Sequence, residues 1–336
     1  LDATKISANV SGDTVSEGAD SALGDAAESP SQSLAVNALI ATNLMLSSAS
    51  ASVLNSDLVV GGDLTVAAAN TATIVADNSA TMTSDGAAVG LTLAFNTIGW
   101  QAQNLLFNAV DALIGTDIGT EQAALVSATV VNTGLAVGGD VVVSAGGLAA
   151  DAAEPGVAHG AHLSATIHNE VTAAAENAAV SLLLASNRVS SRSRAWVSPL
   201  ADRDAAAVPL VSTRASLSVD GAFSVTAVDS AQIGADVSMA ATSAGGAAVG
   251  GVVVRNDVRS AVSSGLDRVA LNAGGDVSVI ALESAQINAG LSGKSQTAVE
   301  EAEPPPDAST TAGTTTGAAA PEKTMPPLAL NGLIAN

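Results

Sequence analysis

The sequence contains no cysteine and no tyrosine, and its aromatic residues are three Phe and two Trp, 1% of 336. Without cysteine there is neither a disulfide scaffold nor a cysteine-ligated metal. With so few aromatics, the apolar mass, 48% of the chain, falls almost entirely to Ala, Val, Leu and Ile. A compact globule draws much of its buried area from aromatic side chains, whereas small and β-branched residues suit thin layers of strand. Bases are scarce too, with 11 Lys and Arg against 32 Asp and Glu, a net charge of −21. Leu1 to Asn187 holds one base, Lys5, against 18 acids, while Arg188 to Lys294 holds nine of each. Such a surface repels nucleic acid and anionic membranes, which excludes a DNA- or RNA-binding role and suits saline or calcium-rich surroundings. No stretch approaches the roughly 18–20 uninterrupted apolar residues of a membrane span. No secretory leader is legible either.

What the sequence does contain is repetition. One string occurs four times: Gly61-Gly62-Asp63-Leu64-Thr65-Val66, Gly138-Gly139-Asp140-Val141-Val142-Val143, Asp220-Gly221-Ala222-Phe223-Ser224-Val225 and Gly274-Gly275-Asp276-Val277-Ser278-Val279. Ala72 and Ile74 follow the first copy as Ala231 and Ile233 follow the third, and Ala285 and Ile287 the fourth; Ala149 and Asp151 stand in the second. Ahead of each string, Ala35-Val36 leads to Asn43, Ala88-Val89 to Asn96, Ala179-Val180 to Asn187 and Ala248-Val249 to Asn256. From that Asn to the glycine string is 18 residues in copies one and four, 42 in copy two and 33 in copy three. The longer copies therefore carry insertions of 24 and 15 residues. Both ends keep the phase. Lys5-Ile6-Ser7-Ala8 echoes Gln286-Ile287-Asn288-Ala289, and Leu328 to Ala335 echoes Leu34 to Ala41. With Leu1 in place of Met, this leads to the expectation of a slice from a longer protein.

Within each unit the apolar pattern has period two. Leu64, Val66 and Ala68 share one face, as do Ala72, Ile74 and Ala76, and Val89, Leu91, Leu93 and Phe95 alternate with Gly90, Thr92 and Ala94. Short alternating runs broken by Gly-Asp or Asn turns read as strands. The breaks are too short for crossover helices, so the units bury their apolar faces by stacking. The expected fold is all-β, a solenoid of parallel strands with one short helical insertion and polar loops. At about two coils per unit, the stack spans roughly 40–55 Å. The units divide as 1–33 (the end of a preceding repeat and a polar loop), 34–86, 87–177, 178–246, 247–294, a Pro/Thr-rich loop or linker over 295–327, and 328–336 opening a further repeat. In the second unit, Leu105, Leu106, Ala109, Val110, Leu113 and Ile114 fall at helical spacing, which predicts an amphipathic helix over 100–114. In the third, residues from about Ser190 to Val211 read as a polar loop containing Arg192, Arg194 and Arg203.

The run from Ala88 to Asn96, the Gly-Gly-Asp-Val string and Ala-x-Ile-x-Ala together resemble the repeats of large filamentous adhesins. These are the haemagglutinin-like and leukotoxin-type exoproteins of Gram-negative bacteria. The resemblance covers roughly residues 34–293. It implies a right-handed parallel β-helix, export to the bacterial cell surface and a role in attachment or biofilm. Its partners would be host or neighbouring-cell glycans or proteins and the flanking repeats of the same chain.

Candidate sites are few, and no residue is assigned a catalytic, cofactor or metal role. Gly61-Gly62-Asp63 and its copies are like a fragment of a calcium-binding roll, but that roll needs the motif at nine-residue steps and these aspartates are 77 apart. A structural turn is the expectation and calcium the alternative, since Ca²⁺ needs six to eight oxygens from several ligands. His159, His162 and His168, with Glu154 and Glu170 nearby, are the only histidine cluster, and they read as surface loop residues rather than a divalent metal site. Arg192, Arg194, Arg203, Asp202 and Asp204 are the nearest approach to a groove for acidic polysaccharide. Acid–base catalysis needs carboxyls whose pKa values are pushed apart, and a solvated loop is the simpler reading. A structural or adhesive segment without catalysis is thus expected, with a β-helix carbohydrate-active enzyme or a glycan-binding segment as the alternative.

Overall fold

The computed structural model describes residues 2–17, 33–101, 109, 119–146, 163–199, 215–297 and 328–335. The chain opens with β1 (Asp2–Ser16), β2 (Leu34–Met45), β3 (Ser48–Leu54), β4 (Asp57–Val60) and β5 (Leu64–Ala68). Next come β6 (Asn70–Ser84), β7 (Ala87–Ile98), β8 (Ala124–Val131), β9 (Gly134–Val137) and β10 (Val141–Ala145). Then come β11 (Leu163–Ala175), β12 (Ala178–Ser198), β13 (Ala215–Val219) and β14 (Phe223–Ser243). The chain continues through β15 (Ala247–Leu266), β16 (Val269–Ala273), β17 (Val277–Thr297) and β18 (Leu328–Ala335).

The protein is all-β, and among the described residues every pairing between these strands is parallel. Three sheets result. The first stacks β1, β6, β11, β14 and β17, with β5 and β10 continuing it from β14; the second stacks β2, β7, β12, β15 and β18, with β3 and β8 beside β12; the third stacks β4, β9, β13 and β16. Like residues lie beside like. Leu64, Val141, Phe223 and Val277 form one row, and Asn43, Asn96, Asn187 and Asn256 another.

Several expectations are corrected by this register. The row through Ile6, Ile74, Ile233 and Ile287 passes Ala165, and that through Ala72 and Ala231 passes Leu163, so Ala149 and Asp151 are not the second-copy counterparts. The phase is lost across residues 147–162, an interruption the glycine string alone does not reveal. Each repeat adds one strand level rather than two, so the second sheet, five levels deep from β2 to β18, measures roughly 20 Å at ~4.8 Å per strand, not 40–55 Å. Ser190–Ser198, expected in a loop, belongs to β12, which pairs with β8 and β15. The helix expected over 100–114 falls mostly outside the described residues; Ala109, which is described, has helical backbone and packs on Phe95 and Leu184.

Why strands this small pack without voids follows from the second sheet. In β7 it is Ala88, Gly90, Thr92 and Ala94 that are buried, while Val89, Leu91 and Leu93 turn outward. The space beside Gly90 is taken by the Met82 thioether and by Val171 from the first sheet, and that beside Gly250 by Met239. Interiors are close-packed, so small residues on one sheet require long ones opposite. The core is consequently Ala, Val, Leu, Ile and Met, with Phe223 its one fully buried aromatic among the described residues. At one corner a left-handed residue occurs at three levels: Asn55, Asn132 and Arg268 have φ of 51°, 48° and 50°, while Pro199, whose ring fixes a negative φ, holds that position between Asn132 and Arg268. Asn132 Nδ2 donates to Asn55 Oδ1 at 2.9 Å, tying two levels together.

The glycine string is a stacked corner. Asp140 N–H donates to Asp63 Oδ1 at 2.9 Å and Ala222 N–H to Asp140 Oδ1 at 2.8 Å, so each aspartate holds the backbone of the next level. A Cβ on Gly139 would lie 2.2 Å from Asp63 Oδ1 and 2.8 Å from the Gly62 carbonyl carbon, whereas one on Gly62 meets nothing within 4 Å. Gly139→Ala is therefore expected to cost about 2 kcal/mol or more and Gly62→Ala less than about 0.5 kcal/mol, read as a difference in urea unfolding. Equal costs would mean that the levels do not press on one another.

Candidate functional site

The polar chemistry concentrates at two places, one inside the corner between the first two sheets and one on the outer face of the second. Inside, the Asn row is bonded both along the stack and across it. Asn43 Nδ2 donates to Asn96 Oδ1 at 2.9 Å and Asn187 Nδ2 to Asn256 Oδ1 at 3.0 Å. The same amides reach the opposite sheet, at the carbonyls of Val75, Thr166, Gly234 and Asn288. Burial of an amide calls for such partners; the row is bonded as two pairs, and the buried Asn187 Oδ1 at the step from Asn96 has none. The row is structural.

Beside it runs a second polar row, Asn70, Asp229 and Glu283, facing serines of the second sheet. Asn70 Nδ2 donates to Ser47 Oγ at 2.8 Å, and Ser260 hydrogen-bonds Glu283. Asp229 is 3% exposed and its Oδ2 has no hydrogen-bond partner. Burial raises its pKa from 3.8 to about 6, against the lowering effect of the nearby Ser191 hydroxyl and with a further push from the Glu283 charge.

On the outer face, Gly99 to Gln101 and Thr120 to Gln122 close an antiparallel contact, with Gln101 N–H bonded to Thr120 O at 3.0 Å and Gln122 N–H to Gly99 O at 2.9 Å. This brings the Trp100 ring against two guanidinium groups, Arg188 at 3.8 Å and Arg259 at 4.9 Å from its centroid. Asp257 is the common counter-ion. Its Oδ2 lies 3.3 Å from Arg259, 3.8 Å from Arg255 and 3.9 Å from Arg188. Glu121 lies 3.7 Å from Arg259 and accepts a 2.6 Å bond from Ser190. Arg188, only 5% exposed, keeps its charge here because guanidinium is weakly hydrated and stacks on aromatic faces. Next to this cluster is an open cavity of about 360 Å³ bordered by Glu121, Ala123, Leu125 and Arg192.

Of the residues singled out from sequence, Arg192 borders this cavity, and Arg194, two residues on along β12, has its guanidinium 5.5 Å from the Trp196 ring centroid. Arg203, Asp202 and Asp204 lie outside the described residues, as do His159, His162 and Glu154. His168 is exposed on β11, in register between Asp77 and Asp236, and Glu170 is exposed beyond it. Among the described residues no group of three or more acids and histidines could hold a metal ion. Trp100, Glu121, Arg188, Asp257 and Arg259 were not singled out from sequence. The signal was present, because Arg188 and Asp257 each follow the recurrent Asn and so carry opposite charges in one row.

Asp229 makes stability depend on pH. The folded chain holds this proton up to about pH 6, whereas the unfolded chain releases it near 3.8. The contribution is therefore full below the unfolded value and lost as pH rises through the folded one, roughly 3 kcal/mol in all. Asp229→Asn is expected to reduce the difference in unfolding free energy between about pH 4 and about pH 7.5 by up to that amount. An unchanged difference would mean that the carboxyl is not desolvated. Among the described residues no helix is long and apolar enough to cross a membrane. No protein-family model, curated protein or solved structure matches the chain.

Proposed function

We infer that this chain is a segment of a right-handed parallel β-helix in which each repeat makes one circuit of the three sheets. It serves as a structural stalk or adhesive segment of a secreted, surface-displayed bacterial adhesin, acting in attachment or biofilm. One observation carries the reading: the row-by-row register that sets Asn on Asn across four levels and apolar on apolar beside it. Such a stack grows by adding repeats without altering those already present, which suits a spacer that holds a contact surface away from a cell. Its partners are flanking repeats and the glycans or proteins of a host or neighbouring cell. The acidic surface keeps such a chain soluble and apart from other polyanions.

A second reading, a glycan-binding or glycan-cleaving segment, draws on the cavity between Glu121 and Arg192. Cleavage fits poorly. Glu121 and Asp257 share one guanidinium, Arg259, and so are held as ion pairs, and the acid with a raised pKa, Asp229, is sealed in the core. Carboxyls placed this way do not make the acid and base pair that hydrolysis needs. The test is a panel of acidic and neutral polysaccharides offered to the purified chain, with binding and new reducing ends followed together. The stalk reading expects no reducing ends, with or without binding. Turnover that disappears in Glu121→Gln would replace it with an enzyme.

A further inference from the structure

We propose that the outer face of the second sheet, around Arg192 and Arg194, binds a carboxylated polysaccharide. The proposal rests on the glycan-binding reading of the cavity between Glu121 and Arg192, and it names the ligand of that cavity. It starts from a local inversion of charge. In a chain with 11 bases against 32 acids, β12 and β15 together carry five arginines and one acid, Asp257. All five arginines face away from the core. Arg188, Arg192 and Arg194 alternate with the inward Asn187, Val189 and Ala195, and Arg255 and Arg259 with the inward Val254 and Asn256. Both tryptophans of the chain, Trp100 and Trp196, lie against guanidinium groups of this same face.

The five arginines fall into two groups. Arg188, Arg255 and Arg259 surround Asp257, and Arg259 also reaches Glu121. Arg192 and Arg194 lie farther along β12, and among the described residues neither is within ion-pair distance of a carboxylate. Their rows, which run through Ser48, Leu125 and Ala261 and through Ser50, Ser127 and Ser263, hold no acid. Arg192 is exposed and Arg194 half-buried. Outward positions are ~7 Å apart along a strand and ~4.8 Å apart between strands. Arg259, in register with Ser190, is therefore a diagonal neighbour of Arg192. Five guanidiniums against the two carboxylates of Asp257 and Glu121 leave three positive charges in excess on this face.

Three features select the ligand. Guanidinium pairs with carboxylate through parallel N–H donors, which calls for an anion. The open cavity of about 360 Å³ beside Arg192 adds Ala123 and Leu125, an apolar margin for the C–H face of a sugar ring. Glu121 borders it too, its Oε1 accepting a 2.6 Å bond from Ser190 and its Oε2 3.7 Å from Arg259. A carboxylate in that place favours a ligand that also donates, and sugar hydroxyls do. The side chains of an acidic peptide and the phosphates of a nucleic acid bring acceptors only. A uronate polymer meets all three demands, with a carboxylate on each sugar and hydroxyls and C–H surface between. The acidic remainder of the chain repels such a polymer and directs it to this face. At physiological salt charges beyond ~8 Å are screened, so the adjacent guanidiniums decide the contact.

Calorimetric titration of the purified chain with polygalacturonate, its methyl-esterified form, neutral dextran and polyglutamate tests this. Polygalacturonate is expected to bind, to bind less as salt rises, and to lose its affinity on esterification. Arg192→Gln, at an exposed site, is expected to weaken binding about tenfold with urea unfolding unchanged. Arg192→Lys should recover only part of the loss, because an ammonium cannot pair through two parallel donors. Arg268→Gln, which removes an exposed arginine at another corner, should leave binding as it was. No binding of polygalacturonate, equal binding of its ester, an equal loss in Arg268→Gln, or tighter binding of polyglutamate would each overturn the proposal. Dextran bound as tightly as polygalacturonate would overturn it as well, yet would leave the glycan-binding reading standing. The stalk reading fails on a different signal, the release of reducing ends.

Discussion

Everything in this structure depends on keeping equivalent residues of successive repeats side by side. Parallel strands in register satisfy each other's backbone N–H and C=O groups level by level, and equal side chains then meet equal side chains. A slip of one residue would exchange inward and outward faces along a whole strand. The Asn row penalises such a slip directly, because Asn96 would lose both its neighbour in the row and the Thr166 carbonyl across the core. Polar groups inside an apolar core cost free energy when unpaired, and here they enforce position rather than add stability.

Variation is confined to places where the register does not need the chain. The interruption after Ile98 leaves the strands on either side, β7 and β8, aligned with β2 and β3 as though nothing intervened. Its near ends then lie on the outer face, where Trp100 gives Arg188 and Arg259 an aromatic surface and Glu121 supplies charge. The outer face of the second sheet is where chemistry accumulates. Its inner face is fixed by the methionines opposite, and its outer face is free to differ between repeats.

Much of this was legible in the sequence and some was not, for definite reasons. The four glycine strings and four asparagines were placed in the right rows because turn glycine and buried amide are demanded by backbone geometry, which every repeat shares. The insertions of 24 and 15 residues were measurable because both lie between two such markers. The break before Leu163 was missed because Ala149 sits at the expected spacing in a stretch rich in alanine, and spacing cannot tell one alanine from another. Which face of β7 points inward was also hidden. Val89, Leu91 and Leu93 are the stronger hydrophobes, yet Gly90 and Ala94 face the core, and that choice is made by Met82 on another sheet. The arginine cluster needed strands separated by more than sixty residues to be brought together, as Arg188 and Asp257 are.

The aspartate corner has a direction. Asp63 holds the level that follows it and Asp140 does likewise, but the third repeat carries Ala222, which offers the fourth no carboxylate. There the corner is carried by main-chain bonds alone, Gly275 N–H to Gly221 O and Phe223 N–H to Asp276 O, both at 2.8 Å. A column fastened at all its joints but one tears at that one. Of the three joints along this corner, the one between the third and fourth glycine strings is therefore the least fastened, and strain along the column concentrates there.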